Sequence, residues 1–236
     1  MHVGDRVAAL LKPGAVGSRQ GGLAGARRPY EDHLQAPLPV LDHSAAFYCR
    51  ASKRTPGLAL KPGAGRGDSG HTECPATGEL VSKSHACLEL LGSLDEAESA
   101  LGLARALAPQ GLEDLASVLE ELQLMLFRVG YTVAGRIEID ERDLERLNSL
   151  LELYWPREQR GFLIHGAGAF SSAIGLARAL VRRAERALVA ALEAGVPLRR
   201  SDLALSVLNR MSDVLFGLEV RAASFERAHR GSSLSS

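Results

Sequence analysis

From about Leu88 onward, apolar residues recur at intervals of three and four, the spacing that gathers them on one face of a helix. Leu88, Leu91, Leu94, Leu101 and Leu103 belong to a first helix, and Leu115, Leu119, Leu122, Leu126 and Val129 mark the core stripe of a second. A shorter third is expected near Glu141 to Tyr154, and a fourth from roughly Ser171 to Ala194. A fifth runs from roughly Leu203 to Ala228, behind the N-cap candidates Ser201 and Asp202. Breaks at Pro109-Gln110-Gly111, Gly135, Pro156 and Gly195-Val196-Pro197 separate them. Long helices, short connections and scarcely any strand signal predict an all-α, antiparallel four/five-helix bundle.

The first part of the chain reads differently. Residues 1–62 are rich in Gly, Pro, Ala and Arg and sustain neither a helical nor a strand period. Such a segment buries too little apolar surface to offset its ordering entropy, so it is expected to be a disordered extension ahead of a bundle domain at 63–230. A mitochondrial-type transit peptide is the functional alternative, although Asp5, Glu31, Asp32 and Asp42 give it more acid than such peptides carry. A start assigned too far upstream is a third reading.

Composition narrows the function classes. Lys plus Arg and Asp plus Glu number 28 each, so no global field marks a nucleic-acid or membrane-surface binder, and any anion site must be local. No apolar run approaches the ~18–20 residues that span a bilayer. Of the three cysteines, Cys49, Cys74 and Cys87, none has paired metal-ligand spacing, and the odd number argues against a complete disulfide framework. A reducing, cytoplasmic setting is expected.

Local anion chemistry is concentrated in Arg178-Ala179-Leu180-Val181-Arg182-Arg183-Ala184-Glu185-Arg186, where Arg178, Arg182 and Arg186 recur every four residues. On a helix they form one column, and like charges at this spacing cost roughly 0.2–0.5 kcal/mol per pair. Glu185 alone cannot neutralise it. A guanidinium fork suits carboxylate or phosphate, so the column calls for acidic side chains of a neighbouring helix or a polyphosphate ligand. A solvated arginine face is the bland alternative. Gly67-Asp68-Ser69-Gly70-His71-Thr72 is a glycine-bearing loop through which backbone N–H groups can approach a phosphate, with Lys83 as a nearby point charge. Asn209 and Asp213 lie one turn apart in a polar inset of the last helix and need partners if buried. His71 and His165 have no second ligand at helical spacing, and no metal site is expected from the side chains.

Taken in order, these pieces resemble the PduO-type ATP:cob(I)alamin adenosyltransferases over essentially Gly67 to Arg221. That family's Gly-Asp-x-Gly-x-Thr loop is met by Gly67, Asp68, Gly70 and Thr72, and its Val-x-Lys by Val81 and Lys83. Its Glu-x-x-Gly-x-x-Asp-Glu helix start is met by Glu89, Gly92, Asp95 and Glu96, followed by Leu101 to Ala104. Its second-helix pattern appears as Gln123, Leu126, Phe127 and Gly130. The Arg-x-x-x-Arg-Arg-Ala-Glu-Arg signature is complete at Arg178 and Arg182 to Arg186, and Leu-Asn-Arg-x-Ser-Asp-x-Leu-Phe is complete at Leu208 to Phe216.

The resemblance implies a homotrimer with active sites between subunits, transferring the adenosyl group of ATP to the cobalt of a reduced corrinoid and releasing triphosphate. By analogy Gly67, Asp68, Gly70, Thr72, Lys83, Arg182, Arg183, Glu185, Arg186 and Asn209 hold Mg-ATP. Arg178 pairs with Asp95 across the subunit boundary, and Phe162 excludes the lower axial ligand of cobalt. A reductase and an adenosylcobalamin-dependent enzyme are the implied partners, with neither nucleic acid nor membrane. The departures are Arg66 for the usual Thr, Leu80 and Cys87 for usual arginines, His165-Gly166-Ala167 for Pro-Gly-Gly, and Val220 with Arg221 displaced beside it. They bear on affinity and corrinoid preference more than on reaction class. A non-catalytic carrier or sensor of corrinoid or nucleotide is the alternative, and a purely structural bundle a further one.

Overall fold

The structure is a computed structural model that describes residues 67–136, 139–157 and 163–230. The expected extension at 1–62 and the candidate Phe162 lie outside the described residues. Among the described residues five helices follow a short hairpin: β1 (His71–Glu73), β2 (Leu80–Ser82), α1 (Ala86–Ala106), α2 (Glu113–Val133), α3 (Glu141–Tyr154), α4 (Ala169–Glu193) and α5 (Ser201–Arg230). The helices fall where the apolar spacing places them. The fifth begins at Ser201, so Ser201 and Asp202 sit within its first turn and do not cap it from outside.

Side-chain pairs fix the relative directions. Glu98 and Arg105 of α1 meet Gln123 and Glu120 of α2, and Glu121 and Arg128 of α2 meet Arg146 and Asp143 of α3. Both pairs of helices are therefore antiparallel. On α5, Phe216 reaches Arg178 of α4 while Glu226 reaches the N-terminus of α4, again antiparallel. α3 lies along α5 in the same direction, with Glu141 bonded to Arg200 just ahead of α5 and Trp155 near Phe216. α4 packs against both α1 and α5.

The core is one cluster drawn from all five helices, including Leu101, Leu122, Ile174, Leu188 and Leu215, all with no exposed surface. All five residues of the expected α2 stripe are buried. Gly102 has a specific reason to lack a side chain: a Cβ there would come within 3.0 Å of the Gln123 amide, which crosses α1 to donate to Glu98 at 2.7 Å. α3 is started by a capping box, Asp140 accepting from the following turn while Asp143 accepts from the Asp140 N–H. Asp143 then faces inward and takes the Arg128 guanidinium.

Two features were not expected. β1 and β2 pair antiparallel, His71 opposite Ser82 and Glu73 opposite Leu80. Cys74 and Cys87, both buried, form a disulfide that ties the hairpin to the start of α1. Two of the three cysteines are thus paired, which is not the state a reducing compartment favours. The bond also accounts for Cys87 at a place where a charged side chain is usual: a buried position closed by a covalent link has no room for one.

Candidate active site

α4 presents its small and aliphatic residues inward, with Val181, Ala184 and Leu188 fully buried, and this orientation turns the arginine column outward. Arg182 and Arg186 are exposed, and among the described residues neither has an ion-pair partner. Arg178 is half-buried with its guanidinium 5.0 Å from the centre of the Phe216 ring, a cation–π contact, and its Nε is buried without an acceptor. Arg183, outside the column, bonds Glu96 of α1, and its Nε is likewise without an acceptor. Of the two anionic partners open at the sequence level, a neighbouring acidic helix therefore answers for Arg183 and not for Arg182 or Arg186. Glu185 is half-buried beside them. Asp95 is exposed on α1, immediately before Glu96, and does not reach Arg178 within the chain.

The glycine loop and Lys83 come together. The Gly70 N–H donates to the Gly67 carbonyl at 3.1 Å, and Gly70 takes a φ of +76°, a conformation that glycine adopts without strain. The Lys83 N–H donates to the Gly70 carbonyl at 2.9 Å, and the Lys83 ammonium lies where a Cβ on Gly67 would be within 3.1 Å of it. Asp68 and Lys83 are exposed, Thr72 half-buried. His71 makes a local bond to the Ser69 carbonyl at 3.0 Å.

On α5 the polar inset is largely satisfied within the helix. Ser212 donates to the Asn209 carbonyl at 2.9 Å, and Arg210 lies 4.0 Å from Asp213, leaving the exposed Asn209 side chain for other contacts. The register that pairs Arg178 with Phe216 brings Asn209 level with Arg186. The hairpin, tethered to the start of α1, belongs to the same end of the bundle. Gly67, Asp68, Gly70, Thr72, Lys83, Arg186 and Asn209 thus lie toward one end, while Arg182 sits midway along α4.

A cavity of about 640 Å³ lies between α3 and α5, lined by Leu151, Glu152, Trp155, Arg157, Arg210 and Asp213. Trp155, 48% exposed, has its ring 6.1 Å from Phe216, which links this cavity to the Arg178 cation–π contact. Trp155 and Arg157 follow the third helix and match no sequence pattern; a lone tryptophan just past a helix end is the one signal for them. Glu219 is signalled only as a carboxylate inside an apolar stretch of α5. Glu219 is buried and meets His165 Nδ1 at 2.5 Å. His165 belongs to the irregular segment 163–168 ahead of α4, whose first N–H groups are capped by Glu226 at 2.9 and 3.2 Å.

An arginine column without carboxylate partners among the described residues, a glycine loop with its lysine, and a cavity bearing Trp155 make up the candidate site. Residues 64–222 match the model of the family described as cobalamin adenosyltransferase, and the chain belongs to that family. It is 32% identical over 164 residues to the corrinoid adenosyltransferase PduO of Citrobacter freundii, covering 64% of this chain and 47% of that protein. With another corrinoid adenosyltransferase of Citrobacter freundii it shares 32% identity over 162 residues, 64% of this chain and 89% of that one. The chain spans about half the length of the first curated relatives it matches. Among solved structures, a variant PduO-type ATP:corrinoid adenosyltransferase from Lactobacillus reuteri complexed with cobalamin and ATP superposes with a TM-score of 0.63. Its identity is 26%, with 71% of this chain and 93% of that one covered.

Proposed function

We propose that this protein transfers the 5′-deoxyadenosyl group of ATP to Co(I) of a reduced corrinoid, forming adenosylcobalamin and releasing triphosphate. The carrying observation is that Arg182 and Arg186 stand exposed and, among the described residues, without carboxylates on a face whose neighbour, Arg183, is paired. The orphaned Nε atoms of Arg178, Arg183 and Arg210 fit the same reading, because buried donors call for an acceptor-rich ligand. Co(I) is itself the nucleophile. Its electron pair forms the bond to the ribose 5′ carbon, the C5′–O bond breaks, and triphosphate departs with that bond's electrons. No protein base is needed for attack. The chain's task is to hold the reactants in line and to stabilise charge gathering on the triphosphate.

In this reading Arg182, Arg186, Lys83 and the backbone of Gly67 to Gly70 grip the triphosphate, with Asp68, Thr72, Arg183, Glu185 and Asn209 completing the Mg-ATP site. Mg²⁺ supplies further charge neutralisation on the phosphates. The working unit is a homotrimer with sites between subunits, Arg178 meets Asp95 of a second copy, and Phe162 keeps the lower face of cobalt free of a ligand. The bundle domain spans 63–230, a reductase delivers Co(I), and an adenosylcobalamin-dependent enzyme takes the product. Among the described residues no helix is long and apolar enough to cross a membrane.

The test is an anaerobic assay with chemically reduced cob(I)alamin and Mg-ATP, following formation of adenosylcobalamin and triphosphate. Turnover that Arg182→Ala removes supports the reading. Binding of ATP or corrinoid without turnover would replace it with the carrier or sensor.

A further inference from the structure

The proposed triphosphate site uses the arginines of α4 but leaves the His165–Glu219 pair without a role. Glu219 is 1% exposed, and of its two carboxylate oxygens Oε1 meets His165 Nδ1 at 2.5 Å while Oε2 has no hydrogen-bond partner. A buried carboxylate is strongly unfavourable unless partnered, so His165 is the group that makes Glu219 tolerable. The pair also depends on a third position. A Cβ on Gly175 would stand 2.7 Å from both Glu219 Oε1 and His165 Nδ1, closer than real side chains approach. Three residues from separate parts of the sequence therefore form one device, and the imidazole has entered a space that α4 opens by lacking a side chain.

The device fixes the ring. With Nδ1 engaged by Glu219, Nε2 is the ring nitrogen left for a ligand. The His165 side chain is 56% exposed. Its neighbours along the chain and across the pair, Ile164 at 86% and Leu176 at 51% exposure, are large apolar side chains facing outward. Phe216 and Arg178, in contact with each other, lie three residues from Glu219 and from Gly175, about one turn away. Arg182 and Arg186 lie seven and eleven residues from Gly175 along α4, about 10 and 16 Å at helical rise, so the phosphates they grip are beyond hydrogen-bond reach of His165.

We propose that His165 is a corrinoid-contacting, specificity-determining residue whose Nε2 hydrogen-bonds a peripheral carboxamide of the corrin ring, with Glu219 as its positioning residue. This rests on the adenosyltransferase reading. A primary carboxamide carries both N–H and C=O, so it satisfies Nε2 whether the ring accepts or donates. Ile164 and Leu176 offer apolar contact to the macrocycle. Triphosphate, by distance, is left to the arginines.

Two measurements separate this from the parent reading. Equilibrium binding of cob(II)alamin and of Mg-ATP needs no turnover, and steady-state KM values for cob(I)alamin and ATP follow where turnover exists. His165→Ala is expected to weaken cob(II)alamin binding and raise the corrinoid KM at least about fivefold, with ATP values within about twofold. Glu219→Gln, which keeps an oxygen acceptor for Nδ1, is expected to change them less, and Gly175→Ala to resemble His165→Ala. Circular dichroism melts establish that each variant is folded. An unchanged corrinoid affinity in folded His165→Ala, an equal loss for both ligands, or a loss that tracks a change in oligomeric state overturns the proposal. Absence of turnover in the wild type, with cob(II)alamin binding that still depends on His165, overturns the catalytic reading alone.

Discussion

The α2–α3–α5 side of the bundle and the outer face of α4 are both rich in arginine, yet they treat it in opposite ways. On the first, Arg128 meets Asp143, Arg146 takes a two-pronged hold on Glu121 at 2.7 and 2.9 Å, Arg200 meets Glu141, and Arg221 meets Asp114 at 2.7 Å. On the second, Arg182 and Arg186 meet no carboxylate among the described residues. The sequence had the means to supply one, as Glu96 does for Arg183. Charge left unanswered beside charge that is answered marks the difference between an arginine that joins helices and one that awaits a ligand.

That contrast breaks most visibly at Arg182. Replacing it with alanine is expected to lower kcat/KM by roughly 10²–10³, the scale for losing one preorganised donor to developing charge, with the melting temperature unchanged. An equal loss of stability would show Arg182 to be structural. Arg128→Ala should do the reverse. It leaves the Asp143 side chain, 7% exposed, without its cation, at a cost of about 2 kcal/mol after discounting the 40% exposure of Arg128, read from denaturant unfolding with activity per folded molecule retained.

A carboxylate added to the unanswered face sharpens the comparison. Ala179→Glu on the exposed side of α4 stands one turn from Arg182 and Arg183, and is expected to raise the ATP KM about tenfold while stabilising the helix by about 0.2–0.5 kcal/mol. Arg146→Ala removes a partly exposed pair and should cost about 0.2–1 kcal/mol. The smallest effect concerns Glu113, whose carboxyl is held below its usual value of 4.5, first by the Gly111 N–H and then by its own backbone N–H. A depressed acid contributes stability above its unfolded value and loses it as pH falls through the folded one. An NMR titration of Glu113 should therefore give a midpoint below 4.5.

The helices were legible because their apolar residues repeat with the helical period, and α2 is the clearest case. The hairpin was not, since β1 and β2 are three residues each with half-buried centres and exposed flanks, too short to establish an alternation. The Cys74–Cys87 bond was hidden because spacing carries no geometry. Of the site, the arginine column, the glycine loop and Lys83 could be read directly, since each is local in sequence. His165 and Glu219 are 54 residues apart, and only the presence of a glutamate within the apolar run of α5 hinted at a buried partner.

The Cys74–Cys87 bond joins two residues 13 apart in sequence into a covalent ring that contains β2 and Lys83. Closing a ring of this size removes about 3 kcal/mol of disorder from the open chain. The segment bearing the lysine is thereby shaped during folding and not at the moment of capture, so a ligand arriving there surrenders less of its interaction energy to ordering the protein. Reduction of that one bond would return the loss to the binding step, making the grip of this end of the bundle depend on the oxidation state of two sulfur atoms that never touch the ligand.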